Sequence, residues 1–338
     1  MNNPLSLKLQ RARKILVTGG AGYIGSFTVR ALKEEGFEPI VFDSLETGHP
    51  ESIPGVKIYQ GNLLSDLDLL EKVFREEKPE GVVHFAAYIE VGESVQNPQK
   101  YFFNNVVGTL NLLKVVLKHK VPKFVFSSTA ATYGDQDMDQ IDEETPQEPT
   151  NPYGLSKLIV EKILRSYCQA YPFSAVALRY FNAAGASLDG NFGQDYPQAT
   201  HLITSACEAF LGKRADFKVF GQDYPTKDGT GVRDYIHVLD LASAHVRALK
   251  SDLFGFNAFN VGTGNGFSVL EVLEMLKKVS GIDYKISFGP RRPGDQSQTV
   301  AKAKKIKKLG WEPKYSDLET IVKTAWLWHK NHPKGYKK

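Results

Sequence analysis

Short apolar runs and longer amphipathic stretches alternate through the first half of the chain. The apolar runs have the length and residue content of buried strands and lie at 14–18, 38–42, 81–85, 123–127 and 174–179. The amphipathic stretches between them predict helices at 23–35, 65–77, 101–119 and 151–171. Strands that are apolar throughout and separated by helices indicate a parallel sheet covered on both faces.

The alternation stops after residue 182. Residues 183–232 are rich in glycine, aspartate, proline and glutamine, with one helical stretch near 199–212, and further helix patterns lie at 268–280 and 316–330. The run 235–262 has the character of a return to the sheet. We therefore predict an α/β protein with two parts. Residues 1–182 plus 234–262 would form a doubly wound parallel sheet, and residues 183–233 plus 263–338 a smaller α/β substrate lobe.

A glycine-rich turn joins the first predicted strand to the first predicted helix. It reads Gly19-Gly-Ala-Gly22-Tyr-Ile-Gly25, and such glycines let the backbone approach a pyrophosphate at a helix N-terminus. Asp43 ends the second strand, where an acidic group hydrogen-bonds the adenosine ribose of NAD and repels the 2′-phosphate of NADP. The pattern predicts a Rossmann-type site for NAD. Other residues assigned to the cofactor are Tyr23, Ile24, Ser44, Asn62, Leu63, Phe85, Ala86, Ala87 and Asn105.

Tyr153 and Lys157 are four residues apart on a predicted helix, so their side chains share one face. They follow the strand end Ser127-Ser128-Thr129. A phenol titrates near 10, and a nearby ammonium group and an oxidised nicotinamide both favour its ionised form. We therefore predict Tyr153 as catalytic base and acid, Lys157 as the residue that tunes its pKa and anchors the cofactor ribose, and Thr129 as the residue that orients the substrate.

Composition excludes several other classes. The chain has 338 residues, a net charge of +4 and two cysteines, Cys168 and Cys207. Two isolated cysteines disfavour a disulfide framework and a structural zinc site, and favour a cytoplasmic location. The chain starts without an apolar signal segment, and no apolar run reaches the length of a spanning helix. The basic tracts occur without a nucleic-acid motif, so we expect no nucleic-acid or membrane partner.

Motifs along the chain resemble those of the UDP-glucose 4-epimerases, which belong to the extended short-chain dehydrogenase/reductase family. The similar segments run from residue 14 to the terminus: Thr18-Gly-Gly-Ala-Gly-Tyr-Ile-Gly25, His84-Phe-Ala-Ala87, Val91-Gly-Glu-Ser-Val95, Tyr153-Gly-Leu-Ser-Lys157, Arg179-Tyr-Phe-Asn182, Asp228-Gly-Thr-Gly-Val-Arg-Asp-Tyr-Ile-His-Val238 and Pro290-Arg-Arg-Pro-Gly-Asp295. The 228–238 segment is the most distinctive of these.

The resemblance implies an NAD-dependent isomerase that epimerises C4 of a UDP-sugar. In this chemistry the sugar is transiently oxidised at C4, the 4-keto sugar rotates, and it is reduced on its opposite face. The resemblance also implies a homodimer that pairs through helices 101–119 and 151–171. It places Tyr180 and Phe181 on the nicotinamide side. Residues that would hold the UDP-sugar are Asn182, His201, Leu202, Val219, Phe220, Arg233, Tyr235, Arg292, Asp295 and Thr299.

Some positions depart from the family pattern. Thr129 replaces a common serine, Ile89 a lysine found in some members, and Asn62 a common aspartate. Thr299 stands where members restricted to glucose carry a tyrosine, so the smaller side chain leaves room for a 2-acetamido group.

Three alternatives accompany the main interpretation. A UDP-N-acetylglucosamine or UDP-pentose 4-epimerase would use the same chemistry. A catalytically silent NAD-binding protein would be expected to lack Tyr153 or Lys157. A 4,6-dehydratase is disfavoured because Ala130-Ala131 replaces the Asp-Glu pair that dehydration needs.

Overall fold

The structure is a computed structural model that describes residues 12–136, 138–196, 200–291 and 296–337. In chain order, its strands are β1 (Lys14–Thr18), β2 (Glu38–Asp43), β3 (Lys57–Gln60), β4 (Gly81–His84), β5 (Lys123–Thr129), β6 (Ser174–Tyr180), β7 (Asn182–Ala184), β8 (Val219–Phe220), β9 (Val232–His237), β10 (Phe256–Val261), β11 (Gly266–Ser268), β12 (Phe288–Gly289) and β13 (Gln298–Thr299). Its helices are α1 (Tyr23–Glu34), α2 (Leu67–Glu77), α3 (Val91–Gln96), α4 (Pro98–Tyr101), α5 (Gly108–Lys118), α6 (Pro152–Ala170), α7 (Leu202–Phe210), α8 (Val238–Lys250), α9 (Val269–Ser280), α10 (Lys304–Lys307) and α11 (Leu318–Asn331).

Within these ranges the main sheet has seven parallel strands, in the order β3-β2-β1-β4-β5-β6-β10. The order of strand addition reverses between β1 and β4, because β2 and β3 follow on one side of β1 and the later strands lie on the other. In doubly wound sheets, ligands bind at the carboxyl ends of the strands at this point. The predicted doubly wound parallel sheet is confirmed.

Both faces of the main sheet are buried under helices. In β1, Leu16 and Val17 point to opposite faces, and neither is exposed to solvent. Val17 joins one core cluster with side chains of α1 and α8, and Leu16 joins another with side chains of α2, α5 and α6. Each such side chain contributes about 1.5–3 kcal/mol of hydrophobic free energy. These two cores explain why the strand runs are apolar throughout.

A smaller lobe carries its own sheet. β9 lies at its centre, pairs with β11 and β13, and at its carboxyl end pairs with β7. A separate hydrophobic cluster joins α7, α9 and α11. Of the run 235–262, β10 does return to the main sheet, whereas the part in β9 belongs to the smaller sheet. That part of the prediction was wrong, because β9 pairs with β7, β11 and β13, and its own residues do not show which strands it pairs with.

The stretch 101–119 is not one regular helix. α4 ends at Tyr101, a π-helical turn spans Phe102–Val107, and α5 follows. Such π-helical turns occur frequently at functional sites.

In the part of the chain that the structure describes, no helix combines the length and apolar character that a membrane span requires.

Candidate active site

The glycine-rich turn lies between β1 and α1, and its geometry excludes larger residues. Gly19 has a φ of +71°, and a Cβ there would lie 2.6 Å from the backbone nitrogen of Ala86. A Cβ on Gly25 would lie 2.2 Å from the carbonyl oxygen of Gly19. Gly22 is the N-cap of α1, followed by Tyr23 and Ile24 in its first turn. The first amide N–H groups of a helix have no acceptors within it, so this turn offers donors to an anion.

Asp43 lies at the end of β2, directly beside the glycine turn. Its carboxylate accepts hydrogen bonds from the backbone nitrogens of Ala21 and Leu45, each at 2.9 Å. Burial raises the pKa of Asp43, and the two backbone donors oppose that effect. The carboxylate therefore stabilises the glycine turn through these hydrogen bonds. It also lies at the position that the sequence predicts for contact with the adenosine ribose. Ser44 follows it and accepts a hydrogen bond from the Glu46 nitrogen.

The loops after β3 and β4 carry the next group of predicted cofactor residues. Asn62 accepts a hydrogen bond from the Leu64 nitrogen at 2.8 Å, and so shapes the turn that leads to α2. Leu63 is buried. The nitrogens of Phe85 and Ala86 both donate to the Thr18 oxygen, which brings the loop that contains Ala87 against the glycine turn.

Helix α6, which carries the predicted catalytic pair, starts at a defined cap. Asn151 accepts a hydrogen bond from the Gly154 nitrogen at 2.9 Å, and Pro152 occupies the first helical position. Tyr153 therefore lies in the first turn, with Lys157 one turn later. Both side chains are buried, at 7% and 3% exposure.

The electrostatics of this pair differ from those of free side chains. Burial lowers the pKa of Lys157 to about 7. Its ammonium group donates to the Ser127 carbonyl oxygen at 2.9 Å and lies 4.9 Å from the centre of the Phe126 ring. Burial raises the pKa of Tyr153, and a hydrogen bond with Thr129 partly opposes this. This hydrogen bond places the side chains of Thr129 and Tyr153 next to each other.

The carboxyl ends of β5 and β6 meet at this point. Thr129 is opposite Tyr180 in the parallel ladder. The Tyr180 hydroxyl lies 2.9 Å from the Ser127 hydroxyl, and Phe181, which follows, packs against the core of the main sheet. Strand pairing thus brings together three residues that are distant in sequence: Thr129, Tyr180 and, through Ser127, Lys157.

Asn105 lies in the π-helical turn and links the cofactor loop to the catalytic helix. Its amide oxygen accepts from the Tyr88 nitrogen at 2.9 Å, and its amide nitrogen donates to the Tyr88 oxygen and the Ser156 hydroxyl, each at 3.0 Å. Ser156 in turn donates to the Tyr153 carbonyl oxygen at 2.7 Å. Asn105 therefore connects the loop after β4 to the first turn of α6 through hydrogen bonds.

The smaller sheet brings several predicted substrate residues onto one face. Asn182 in β7 is opposite Tyr235 in β9, and its amide donates to the Asp234 oxygen at 3.2 Å. Arg233 is opposite Thr299 in β13, so these two side chains leave the sheet on the same side. Tyr235 also lies on that side, because it is two residues from Arg233.

The remaining predicted substrate residues are more dispersed. His201 is the N-cap of α7, directly before Leu202, and Val219 and Phe220 form β8. Burial lowers the pKa of His201, and its Nδ1 lies 3.2 Å from the Gln194 side-chain amide. Arg292 and Asp295 lie outside the described residues.

A buried ion pair between α6 and β6 was not predicted from the sequence. Arg179 and Glu161 form a bridge of 2.6 Å, with both side chains 3% exposed. Glu161 also accepts from the Ser128 hydroxyl, and Arg179 donates to the Tyr133 hydroxyl at 2.8 Å. The only signal in the sequence was that Glu161 follows Lys157 by one helical turn, placing both on one helix face.

These features fit a dinucleotide. At Gly19 and Gly25 the chain packs so closely that no side chain fits, which leaves the backbone of the turn open to a ligand. The Asp43 carboxylate supplies a hydrogen-bond acceptor beside this turn. The helix end is suited to a pyrophosphate and the carboxylate to a ribose diol. A nicotinamide would then lie towards the buried pair Tyr153 and Lys157, at the carboxyl edge of β4 and β5.

Comparisons with known proteins agree with this geometry. A family model described as the NAD dependent epimerase/dehydratase family matches residues 15–262. A UDP-glucose 4-epimerase from Lacticaseibacillus casei is 48% identical over 326 residues, which cover 95% of this chain and 98% of that protein.

Two solved structures extend the comparison. UDP-glucose 4-epimerase from Bifidobacterium longum, in complex with NAD+ and UDP, aligns with a TM-score of 0.90 at 41% identity, covering 95% of this chain and 99% of that one. The UDP-Glc/GlcNAc 4-epimerase from the human pathogen Campylobacter jejuni is 48% identical, with a TM-score of 0.83, and covers 95% and 100% of the two chains.

Proposed function

The chain belongs to the NAD dependent epimerase/dehydratase family, and we propose that it is a UDP-glucose 4-epimerase that uses bound NAD. The observation that carries this proposal is the buried arrangement of Tyr153, Lys157 and Thr129 beside a glycine turn that fits a dinucleotide. Relatives named for this activity match the chain over nearly its whole length.

The residues of this chain take the following parts in the reaction. Tyr153 receives the proton of the sugar 4-hydroxyl and later returns it, while Thr129 holds the same oxygen. Lys157, whose ammonium is fixed by Ser127, lies one turn away and favours the phenolate. When bound, NAD supplies the acceptor for a hydride from C4 and later the donor that returns it. The 4-keto sugar rotates before it is reduced, so the UDP must be held firmly and the sugar loosely.

The smaller lobe holds the UDP-sugar in this proposal. Arg233 suits the diphosphate because a guanidinium donates two parallel hydrogen bonds to phosphate oxygens. Asn182 and Tyr235 lie beside it across the β7–β9 ladder. The predicted division of the chain is kept with one change. Residues 234–237 lie in β9 and join the UDP-sugar lobe, which leaves residues 1–182 plus 238–262 for NAD.

Thr299 supports an additional activity on UDP-N-acetylglucosamine and its galactosamine epimer. It shares a face of the smaller sheet with Arg233, and its side chain is smaller than the tyrosine of members restricted to glucose. One similar structure is that of a UDP-Glc/GlcNAc 4-epimerase. In Thr299→Tyr, we expect kcat/KM for the N-acetyl sugar to fall at least tenfold relative to the plain sugar. An unchanged ratio would remove this part of the proposal.

An apolar surface supports a homodimer. Val91, Val95, Phe103, Val107 and Leu155 are exposed large apolar side chains on α3, the π-helical turn and the start of α6. Contiguous exposed apolar surface usually marks an interaction site. Light scattering of Phe103→Glu should show monomers where the parent protein shows dimers, and a parent protein that is monomeric at micromolar concentration would refute the proposal.

The two buried, unpaired cysteines suit the proposed cytoplasmic location.

Proton NMR tests the activity directly. Purified protein would be mixed in turn with UDP-galactose and with UDP-N-acetylglucosamine, without added NAD. Conversion of both supports an epimerase with retained NAD and a permissive pocket. Tyr153→Phe should retain NAD and lose about 10²–10⁴-fold in kcat. No conversion of either sugar, even after NAD is added, would overturn the proposed function.

A further inference from the structure

Glu90 lies close to the catalytic turn but takes no part in the mechanism described above. It is the N-cap of α3, at the end of the loop that leaves β4. Asn105 holds that loop through both backbone groups of Tyr88, and through Ser156 it is connected to the Tyr153 backbone. A continuous set of hydrogen bonds therefore connects the backbone of Tyr88, two residues before Glu90, to the backbone of Tyr153.

The carboxylate of Glu90 reaches across the cleft between the two lobes. Its Oε2 accepts a hydrogen bond from the Thr200 hydroxyl at 2.9 Å. Thr200 directly precedes His201, the N-cap of α7 in the substrate lobe. Because Thr200 is neutral, this bridge orients the carboxylate without neutralising it.

The other oxygen of Glu90 is Oε1, which is buried. Among the described residues, no group donates a hydrogen bond to it. A buried acceptor left unpaired costs about 1–3 kcal/mol, and more when it is charged. Such an atom needs an explanation, and a ligand that donates a hydrogen bond is one.

The surroundings indicate which ligand. The charge of Glu90 contributes to raising the pKa values of Tyr153, Tyr101 and Tyr196, after the larger effect of burial. The same side of the site is indicated by the hydrogen bonds that connect the loop of Glu90 to Tyr153 and by the contact of Glu90 with Thr200. A sugar bound at Tyr153 carries several further hydroxyl donors, and the free oxygen of Glu90 is an acceptor for one of them.

We propose that Glu90 determines which sugars this enzyme accepts: its free oxygen accepts a hydrogen bond from a neutral sugar, and its charge excludes sugars that carry a carboxylate. The inference rests on the proposed function, since it assumes that a UDP-sugar binds with C4 at Tyr153. Like charges brought together in a partly buried site repel each other strongly. A uronic acid at the same position would meet the Glu90 carboxylate directly.

The test compares two ligands that differ only at C6, UDP-galactose and UDP-galacturonate. Calorimetry on the NAD-bound protein gives the dissociation constant of each, and NMR gives kcat/KM where turnover occurs. In Glu90→Gln, which keeps the shape and removes the charge, we expect affinity for UDP-galacturonate relative to UDP-galactose to rise at least ~10-fold. In Glu90→Ala, kcat/KM for UDP-galactose should fall ~10-fold or more, because the acceptor is lost.

Glu93→Gln is the matched control, because it removes the same charge from the same helix. Both Glu93 oxygens are already paired, with Lys100 at 2.7 Å and Tyr101 at 2.8 Å, so its ligand ratio should stay within twofold of the parent. A ratio unchanged in Glu90→Gln, or shifted equally in Glu93→Gln, would overturn the inference. A parent protein that binds UDP-galactose without converting it would instead count against the proposed function, and the binding ratio would still decide the role of Glu90.

Discussion

Lys157 has a proposed catalytic role, and its burial lowers the stability of the folded protein. A substitution at this position tests the two effects separately. The folded pKa of about 7 lies below the ordinary value of 10.5. The unfolded chain therefore binds this proton more tightly, and between these two pH values the free energy of unfolding rises with pH. One pKa unit corresponds to about 1.36 kcal/mol. Relative to a lysine whose pKa does not change on folding, Lys157 thus destabilises the cofactor-free protein by about 4 kcal/mol at pH 7. At pH 9 the folded side chain is neutral, and the release of its proton on folding still costs about 2 kcal/mol.

Lys157→Met removes the charge and keeps most of the apolar stem. The lost hydrogen bond to the Ser127 carbonyl costs about 1–2 kcal/mol. We therefore expect the NAD-free variant to be about 2–3 kcal/mol more stable than the parent at pH 7, and nearly equal to it at pH 9. The same variant should be almost inactive as an epimerase.

Denaturant unfolding of the NAD-free proteins at pH 7, 8 and 9 provides the assay. Differences between variants cancel the contributions of other groups that titrate in this range. Lys162→Met is the matched control, because Lys162 is exposed on the same helix. It should leave the pH dependence of the parent unchanged. A Lys157→Met protein that is less stable than the parent at pH 7, or that keeps the parent's pH dependence, would refute the reasoning.

Three further substitutions test separate parts of the site. Asp43→Asn removes the charge beside the ribose, so the NADP to NAD affinity ratio in titrations should rise at least ~10-fold, and a constant ratio would contradict the assignment. Gly25→Ala places a methyl group 2.2 Å from the Gly19 oxygen, so the purified protein should contain little NAD, whereas full occupancy would contradict the role of this turn. Glu161→Ala leaves Arg179 buried without its partner, and chemical denaturation should show a loss of about 3–5 kcal/mol; a loss below about 1 kcal/mol would be inconsistent with this ion pair.

The parts of the fold that sequence could predict are those with a local pattern. Apolar strands, amphipathic helices and the glycine turn depend on neighbouring residues, and the main sheet follows from them. The assignment of β9 to the smaller sheet depends instead on its pairing with β7, β11 and β13, which no local pattern reveals. The π-helical turn at Phe102–Val107 was missed for a similar reason, since an amphipathic stretch gives no sign of a change in helical pitch.

The residues of the candidate site also fall into two groups, those that a local sequence pattern predicts and those that only the assembled fold brings together. Tyr153 and Lys157 could be predicted because both lie on one helix at a fixed spacing, and Thr129 because it ends a strand. The buried pair of Glu161 and Arg179 and the contact between Glu90 and Thr200 join residues 18 and 110 positions apart. Such contacts exist only once the sheet and the lobes are assembled, so the structure was needed to find them.

The most direct test of transient oxidation follows the hydrogen at C4. UDP-galactose carrying deuterium at C4 would be incubated with the purified protein in ordinary water, without added NAD, and the products examined by NMR and mass spectrometry. The account predicts UDP-glucose that retains deuterium at C4, because the hydrogen never exchanges with solvent. Loss of the label to water during conversion would contradict the account and indicate a different mechanism.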